Sequence, residues 1–364
     1  MLSKKSYMIH SSYLLMIISL LVFTNIFQVL SKPRQILRED DIILSDKSQK
    51  IQKPVNNETG IINVVKSDKI DLSKKESQSF HLTKVLHGCG EICDYNIQGT
   101  PGPFFDYIEK SVNCKELWMN EAIDASMVEG TPPSSIPENM LDGFTYGGKV
   151  PIIPFHTLLN QRYLGMSAQY PIWDLDFVNN MVEECRKGVL NGNYGVSETN
   201  FLKMGLEQMS LHNASVLIVG SEHPWVEACV LNAGAKRVYT LEYGKIESKH
   251  PNIITLTPNE FRKRYHEFYE YFDAVVTFSS VEHSGLGRYG DALNPWGDRQ
   301  AVARAWCAAK PGARMLIGVM NGEDRIEYNA HRVYGKIMYP HLVANWKQIW
   351  QAPDGQQRVH VLKK

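Results

Sequence analysis

From residue 213 onward the chain alternates short apolar runs with longer amphipathic stretches, and the change of period predicts strands and helices in turn. Ser215-Val-Leu-Ile-Val219 is apolar, β-branched and stops at Gly220, as a parallel strand buried on both faces should. A helix is expected over 225–232, with Pro224 at its first turn and Gly234 closing it. Further strands are expected at 237–241, 252–256, 272–278 and 314–319, with a helix at 299–309 and a turn at Lys310-Pro-Gly312. The tail offers 346–351, a Pro353-Asp-Gly355 turn and 358–362, which together predict a closing antiparallel hairpin. This order predicts an α/β fold with a doubly wound, mostly parallel sheet. Its ligand crevice should lie outside the carboxyl ends of the first strands.

The pattern upstream is different. Residues 85–212 mix helical periodicity, at 176–190 and 197–210, with loops such as Thr131-Pro-Pro-Ser-Ser-Ile-Pro137, and read as a front or cap region ahead of the α/β domain of 213–364. Residues 32–84 are rich in Lys, Ser, Asp, Asn and Gln with only sparse apolar pieces, which predicts a flexible stem. Positions 8–31 contain no Asp, Glu, Lys or Arg. About 20 helical residues cross a hydrocarbon core of roughly 30 Å, so this stretch reads as a transmembrane signal anchor behind a tail at 1–7. The expected product is a single-pass membrane protein of the secretory pathway with a lumenal C-terminal domain. Cleavage after Ser31, giving a secreted protein, is the competing reading. Flanking charges do not set the orientation, because Lys4 and Lys5 are balanced by Lys32, Arg34 and Arg38.

Composition narrows the partners. With 39 Lys+Arg against 39 Asp+Glu in 364 residues, the chain lacks the cationic excess that nonspecific nucleic-acid binding needs, and no nucleic-acid partner is expected. Of the six cysteines, Cys229 and Cys307 lie in apolar helical contexts and read as buried free thiols. Cys89, Cys93, Cys114 and Cys185 suit disulfides in an oxidising compartment or zinc in a reducing one. No second close pair accompanies Cys89-Gly-Glu-Ile-Cys93, which disfavours zinc, and no metal site is expected. Two glycosylation tripeptides occur, Asn57-Glu58-Thr59 in the stem and Asn213-Ala214-Ser215 at the mouth of a core strand, where close packing argues against a sugar. Asp174 and Asp176 form an Asp-x-Asp pair of the kind that holds a metal on a nucleotide sugar, yet they lead into a helix that Asp174 would cap. No G-x-S-x-G, P-loop or H-E-x-x-H motif is present, so hydrolase and kinase chemistry has no support.

Val216-Leu-Ile-Val-Gly220, the strand-end Glu242, residues 272–283 and Lys310-Pro-Gly-Ala-Arg-Met-Leu316 resemble the class I S-adenosylmethionine-dependent methyltransferase fold. More narrowly, the run from Ser280 to Asp298 (SVEHSGLGRYGDALNPWGD) is similar to the signature of a nematode-rich, methyltransferase-like family of unknown function. The resemblance implies S-adenosylmethionine as cofactor, held by Gly220, Glu222, Glu242 and Ser279, with Glu242 accepting hydrogen bonds from ribose hydroxyls. Methyl transfer to a hydroxyl or amine needs a base, for which Glu282 and His283 are the candidates. Arg288, Tyr289, Asp291, Asn294 and Trp296, in a glycine-rich loop, are the candidate binding residues for an unidentified acceptor. Arg332 and Tyr334 would complete that pocket. The chain departs from the broader family where Gly220-Ser-Glu-His-Pro224 replaces the usual G-x-G-x-G turn, adding bulk and removing a donor. The first expectation is therefore a membrane-anchored methyltransferase-like protein. A noncatalytic binding or scaffold protein of the same fold, and a Golgi-type glycosyltransferase, are the alternatives.

Overall fold

A computed structural model describes residues 82–126, 132–154, 171–353, 355 and 357–364. The anchor at 8–31, the tail before it and the stem up to residue 81 lie outside the described residues. Among those described, no helix is long and apolar enough to cross a membrane.

Seven strands form the central sheet: β1 (Ser215–Val219), β2 (Arg237–Leu241), β3 (Ile253–Leu256), β4 (Phe272–Phe278), β5 (Ala309–Met320), β6 (Lys347–Gln351) and β7 (Gln357–Lys363). Their spatial order is β3-β2-β1-β4-β5-β7-β6. The first five run parallel, and β7 enters antiparallel between β5 and β6. Chain direction across the sheet reverses between β1 and β4, which is the switch point at which an open α/β sheet leaves a crevice. The fold is thus mixed α/β with a mostly parallel sheet and a closing antiparallel hairpin.

Both faces are covered. On one, the helices Leu175–Lys187, Val196–Glu207 and Trp225–Asn232 meet the sheet through Val178, Leu202, Leu206 and Trp225. The first two fall within the segment read from sequence as the front region, yet the second packs on β5 and β7 and the first lies against the helix Trp225–Asn232. On the other, Trp118, Phe144, Phe261 and the helix Gly297–Ala308 close over Leu217, Val275 and Ile317. β4, Phe-Asp-Ala-Val-Val-Thr-Phe, lies between these layers and is apolar at nearly every position because both its faces are buried.

Four expectations need correction. Cys229 and Cys307 are not free thiols: Cys185 pairs with Cys229, Cys114 with Cys307 and Cys89 with Cys93. The apolar setting that suggested free thiols is equally the setting of a buried disulfide between two packed helices. Lys310-Pro-Gly312 is not a turn before β5 but its opening, irregular stretch, where the register with β4 shifts between Phe272 and Ala274 and Gly312 takes φ +77°. Asp174 stands at the N-cap of Leu175–Lys187 but makes no capping hydrogen bond through its side chain. Pro224 likewise occupies the N-cap of its helix rather than the first turn.

Candidate functional site

The crevice lies at the carboxyl ends of β1, β2 and β4, where two loops meet. Gly220, at φ +75°, ends β1, and a Cβ placed there would come within 1.6 Å of the Ser280 Oγ. Glycine is therefore required at this point by the approach of the loop after β4. Ser279, at the end of β4, itself takes φ +48°, a conformation that costs a non-glycine residue about 1–3 kcal/mol and that tends to occur at binding sites.

Glu242 reaches from the end of β2 into the loop after β1. Its carboxylate accepts from the Ser221 amide at 2.8 Å and from the Tyr243 amide at 2.7 Å. Loss of solvation pushes its pKa up to about 7, against the lowering effect of those amides. Beneath the same loop, the fully buried Glu227 accepts from the Ser221 hydroxyl at 2.9 Å and from Thr240 Oγ1 at 2.8 Å, and burial raises it as well to about 7. The Trp173 indole N–H donates to the Glu222 carbonyl at 3.2 Å. The turn that departs from G-x-G-x-G is thus clamped by two carboxyls and an indole. Where an adenine-binding acid would follow β3, Thr257 instead forms a reciprocal capping box with Glu260.

The loop after β4 is folded on itself. His283 donates from Nδ1 to the Ala330 carbonyl at 2.7 Å, because a carbonyl oxygen can only accept, and Arg288 Nη1 donates to the same oxygen at 3.2 Å. Burial, and then the charge of Arg288, push its pKa down to about 3, so the imidazole is neutral near pH 7. Glu282 is fully buried, accepts from the Ser279 hydroxyl at 2.8 Å and is raised to about 7 by desolvation. Asp291 accepts from the Gly285 amide at 2.6 Å and the Tyr289 amide at 3.3 Å. Asn294 is spent on Gln300 and the Trp296 amide. Arg332, 1% exposed, donates to the carbonyls of Glu282, Ser284, Asn294 and Pro295, and Tyr334 donates to Asp298.

Of the residues singled out by sequence, Gly220, Glu222, Glu242 and Ser279 line one cavity, joined by His283, Tyr289 and Asp291. Glu282, Arg288, Asn294 and Trp296 do not line it. Sequence reasoning missed Tyr194, Trp225, Tyr243 and Phe278, which form much of its wall. It also missed Glu227, although a lone acid in Trp225-Val-Glu-Ala-Cys-Val-Leu231 was a visible signal.

The cavity holds about 110 Å³, and a neighbour of about 60 Å³ meets it at Gly220, Glu242, Tyr243 and Ser280. Pockets for drug-sized ligands enclose about 300–1,000 Å³, and about 150 Å³ suffices for benzene. As folded, these residues do not fit S-adenosylmethionine. Glu242 stands where a ribose partner is expected, but the loop that should cradle the cofactor is packed against Ser280 instead.

The sequence of the α/β domain is similar to one family. Residues 213–361 match the family model described as Caenorhabditis protein of unknown function, DUF268. The match covers the segment in which the nematode-rich, methyltransferase-like resemblance was read. No curated protein matches the chain. Among solved structures, a Burkholderia thailandensis 1,6-didemethyltoxoflavin-N1-methyltransferase with bound 1,6-didemethyltoxoflavin and S-adenosylhomocysteine is similar at 12% identity. It covers 52% of this chain and 89% of its own, with a TM-score of 0.36. An S-adenosylmethionine-dependent methyltransferase from Mesorhizobium loti is similar at 10% identity, over 44% of this chain and 96% of that one, with a TM-score of 0.30.

Proposed function

We propose that this methyltransferase-fold domain acts as a binding protein rather than a methyl-transfer enzyme, and that its crevice takes a small organic cation. The observation that carries the reading is the crevice itself: about 110 Å³, walled by Tyr194, Trp225, Phe278 and Tyr289 and edged by Glu242 and Asp291. Aromatic faces and carboxylates in a desolvated pocket favour an alkylammonium ion. His283, neutral near pH 7, adds no opposing charge. The proposed base is weak on the same grounds, because burial holds the His283 pKa near 3 and Glu282 is sealed below the surface. Anchorage in a secretory membrane through residues 8–31, with this domain lumenal, belongs to the same proposal and is supported by the apolar run and by the cysteine pairing.

A second reading, S-adenosylmethionine binding after the crevice opens, is favoured by one observation, the placement of Glu242 opposite Gly220 at the switch point. Calorimetric titration of the purified full-length chain separates the two. The binding-protein reading expects tetramethylammonium or choline to bind, Glu242→Gln to weaken that binding at least about tenfold, a loss of roughly 1.4 kcal/mol, and S-adenosylmethionine to give no heat at millimolar concentration. Saturable S-adenosylmethionine binding that Glu242→Ala abolishes would replace it with the enzyme reading.

A further inference from the structure

The sequence pattern around Asn213 takes on a different meaning in the fold. Asn213 is exposed, in a left-handed turn at φ +60°, with its amide donating to the Gly234 carbonyl at 2.9 Å. Its side chain makes no hydrogen bond among the described residues. The turn stands immediately before β1, at the end of the sheet opposite the crevice, so the packing expected at the mouth of a core strand does not cover it. Ala214, the middle residue of Asn213-Ala-Ser215, is the one turned inward, at 4% exposure. Ser215 is held through its amide by the Asp273 carboxylate at 2.8 Å, which leaves the asparagine side chain outside the sheet.

A second observation concerns the compartment. All six cysteines are paired, one pair crossing from the front region to the helix Gly297–Ala308 and another joining two helices on the far face. Such pairing belongs to an oxidising lumen, which is also where asparagine glycosylation takes place. We infer that Asn213 is an N-glycosylation site, carrying its glycan on the pole of the domain away from the crevice.

The transfer balances with a lipid-linked oligosaccharide pyrophosphate as the co-reactant. The Asn213 amide nitrogen forms a bond to the anomeric carbon of the first sugar and loses a proton. The anomeric C–O bond to the pyrophosphate breaks, and the leaving group departs with the electron pair. The Ser215 hydroxyl is the third recognition element of the tripeptide. A glycan placed here leaves the crevice open, so the inference is independent of what the crevice binds.

The test uses the full chain made in animal cells, with Asn57→Gln to remove the other tripeptide. The variant is expected to migrate faster after peptide N-glycanase treatment, with the deamidation mark at Asn213 by mass spectrometry. Adding Ser215→Ala should abolish the shift, and Ser215→Thr should keep it. Thiol labelling under non-reducing conditions reports folding and compartment in the same samples. An Asn57→Gln protein with no free thiols and no glycanase shift would overturn the site. Free thiols throughout, with no shift, would overturn both the compartment and the site.

Discussion

The two loops that meet at the crevice are both immobilised, but by opposite means. The short loop after β1, Gly220 to Pro224, is held from below by the carboxyls of Glu227 and Glu242, groups that titrate near neutrality. The long loop after β4 is held by the permanent charge of Arg332 on four carbonyls and by a histidine that stays neutral. A loop dense in Arg, Asp, Asn, His and Trp invites a catalytic reading. Here most of those groups are consumed in fixing their own backbone, and the ones that still face the crevice, such as Tyr289 and Asp291, share its wall with Tyr194, Trp225 and Phe278 from elsewhere.

The sharpest way to break this contrast is Arg332→Ala. Four buried carbonyls lose a charged donor and Asp298, 3.5 Å from Arg332 Nε, loses its counter-ion, so the variant should be about 3–5 kcal/mol less stable by denaturant titration. Gly220→Ala tests the point where the loops touch. The left-handed conformation and the collision with Ser280 together should cost about 2–4 kcal/mol. Adding Ser280→Gly should recover the packing part and leave the backbone part.

The smallest expected effect is a tilt in the pH profile. Glu227, Glu242 and Glu282 rise from 4.5 to about 7 on folding, so between those values the folded state holds the extra protons and stability falls as pH rises. His283, His341 and His360 fall from 6.5 to about 3, so in that interval the unfolded state holds the extra protons and stability rises with pH. His250 and His331 are lowered and Asp291 is raised, on opposite sides of the balance. Between pH 4.5 and 6.5 the contributions oppose and the profile should be nearly flat. Glu227→Gln should tilt it upward with pH. His360→Phe, at a fully buried ring with neither nitrogen hydrogen-bonded among the described residues, should tilt it downward and improve acid stability. Urea midpoints across that range measure both.

Much of the fold was legible because burial on both faces writes itself into the chain: the positions of β1, β2 and β4 follow from short, largely apolar, β-rich runs. Gly220 and Glu242 were legible as strand ends. The cysteine pairing was not, since Cys114 and Cys307 are 193 residues apart and nothing local marks a partner. Nor were Tyr194 and Trp225, whose place in the crevice wall depends on how helices cross the sheet. Among the spent polar groups after β4, His283 and Arg288 were misleading for the same reason, since the Ala330 carbonyl they share is far along the chain, whereas Asp291 and Asn294 are spent on near neighbours.

The three disulfides also set an order of events during synthesis. Their partners are separated by 4, 44 and 193 residues. In an oxidising compartment Cys89–Cys93 can close first and Cys185–Cys229 next, whereas Cys114 must wait until residue 307 has been made, after all of β1 to β4. The segment around Cys114 is therefore tied to the helix Gly297–Ala308 only after the strands that frame the crevice have been made, which makes Cys114 the thiol most exposed to mispairing in a growing chain.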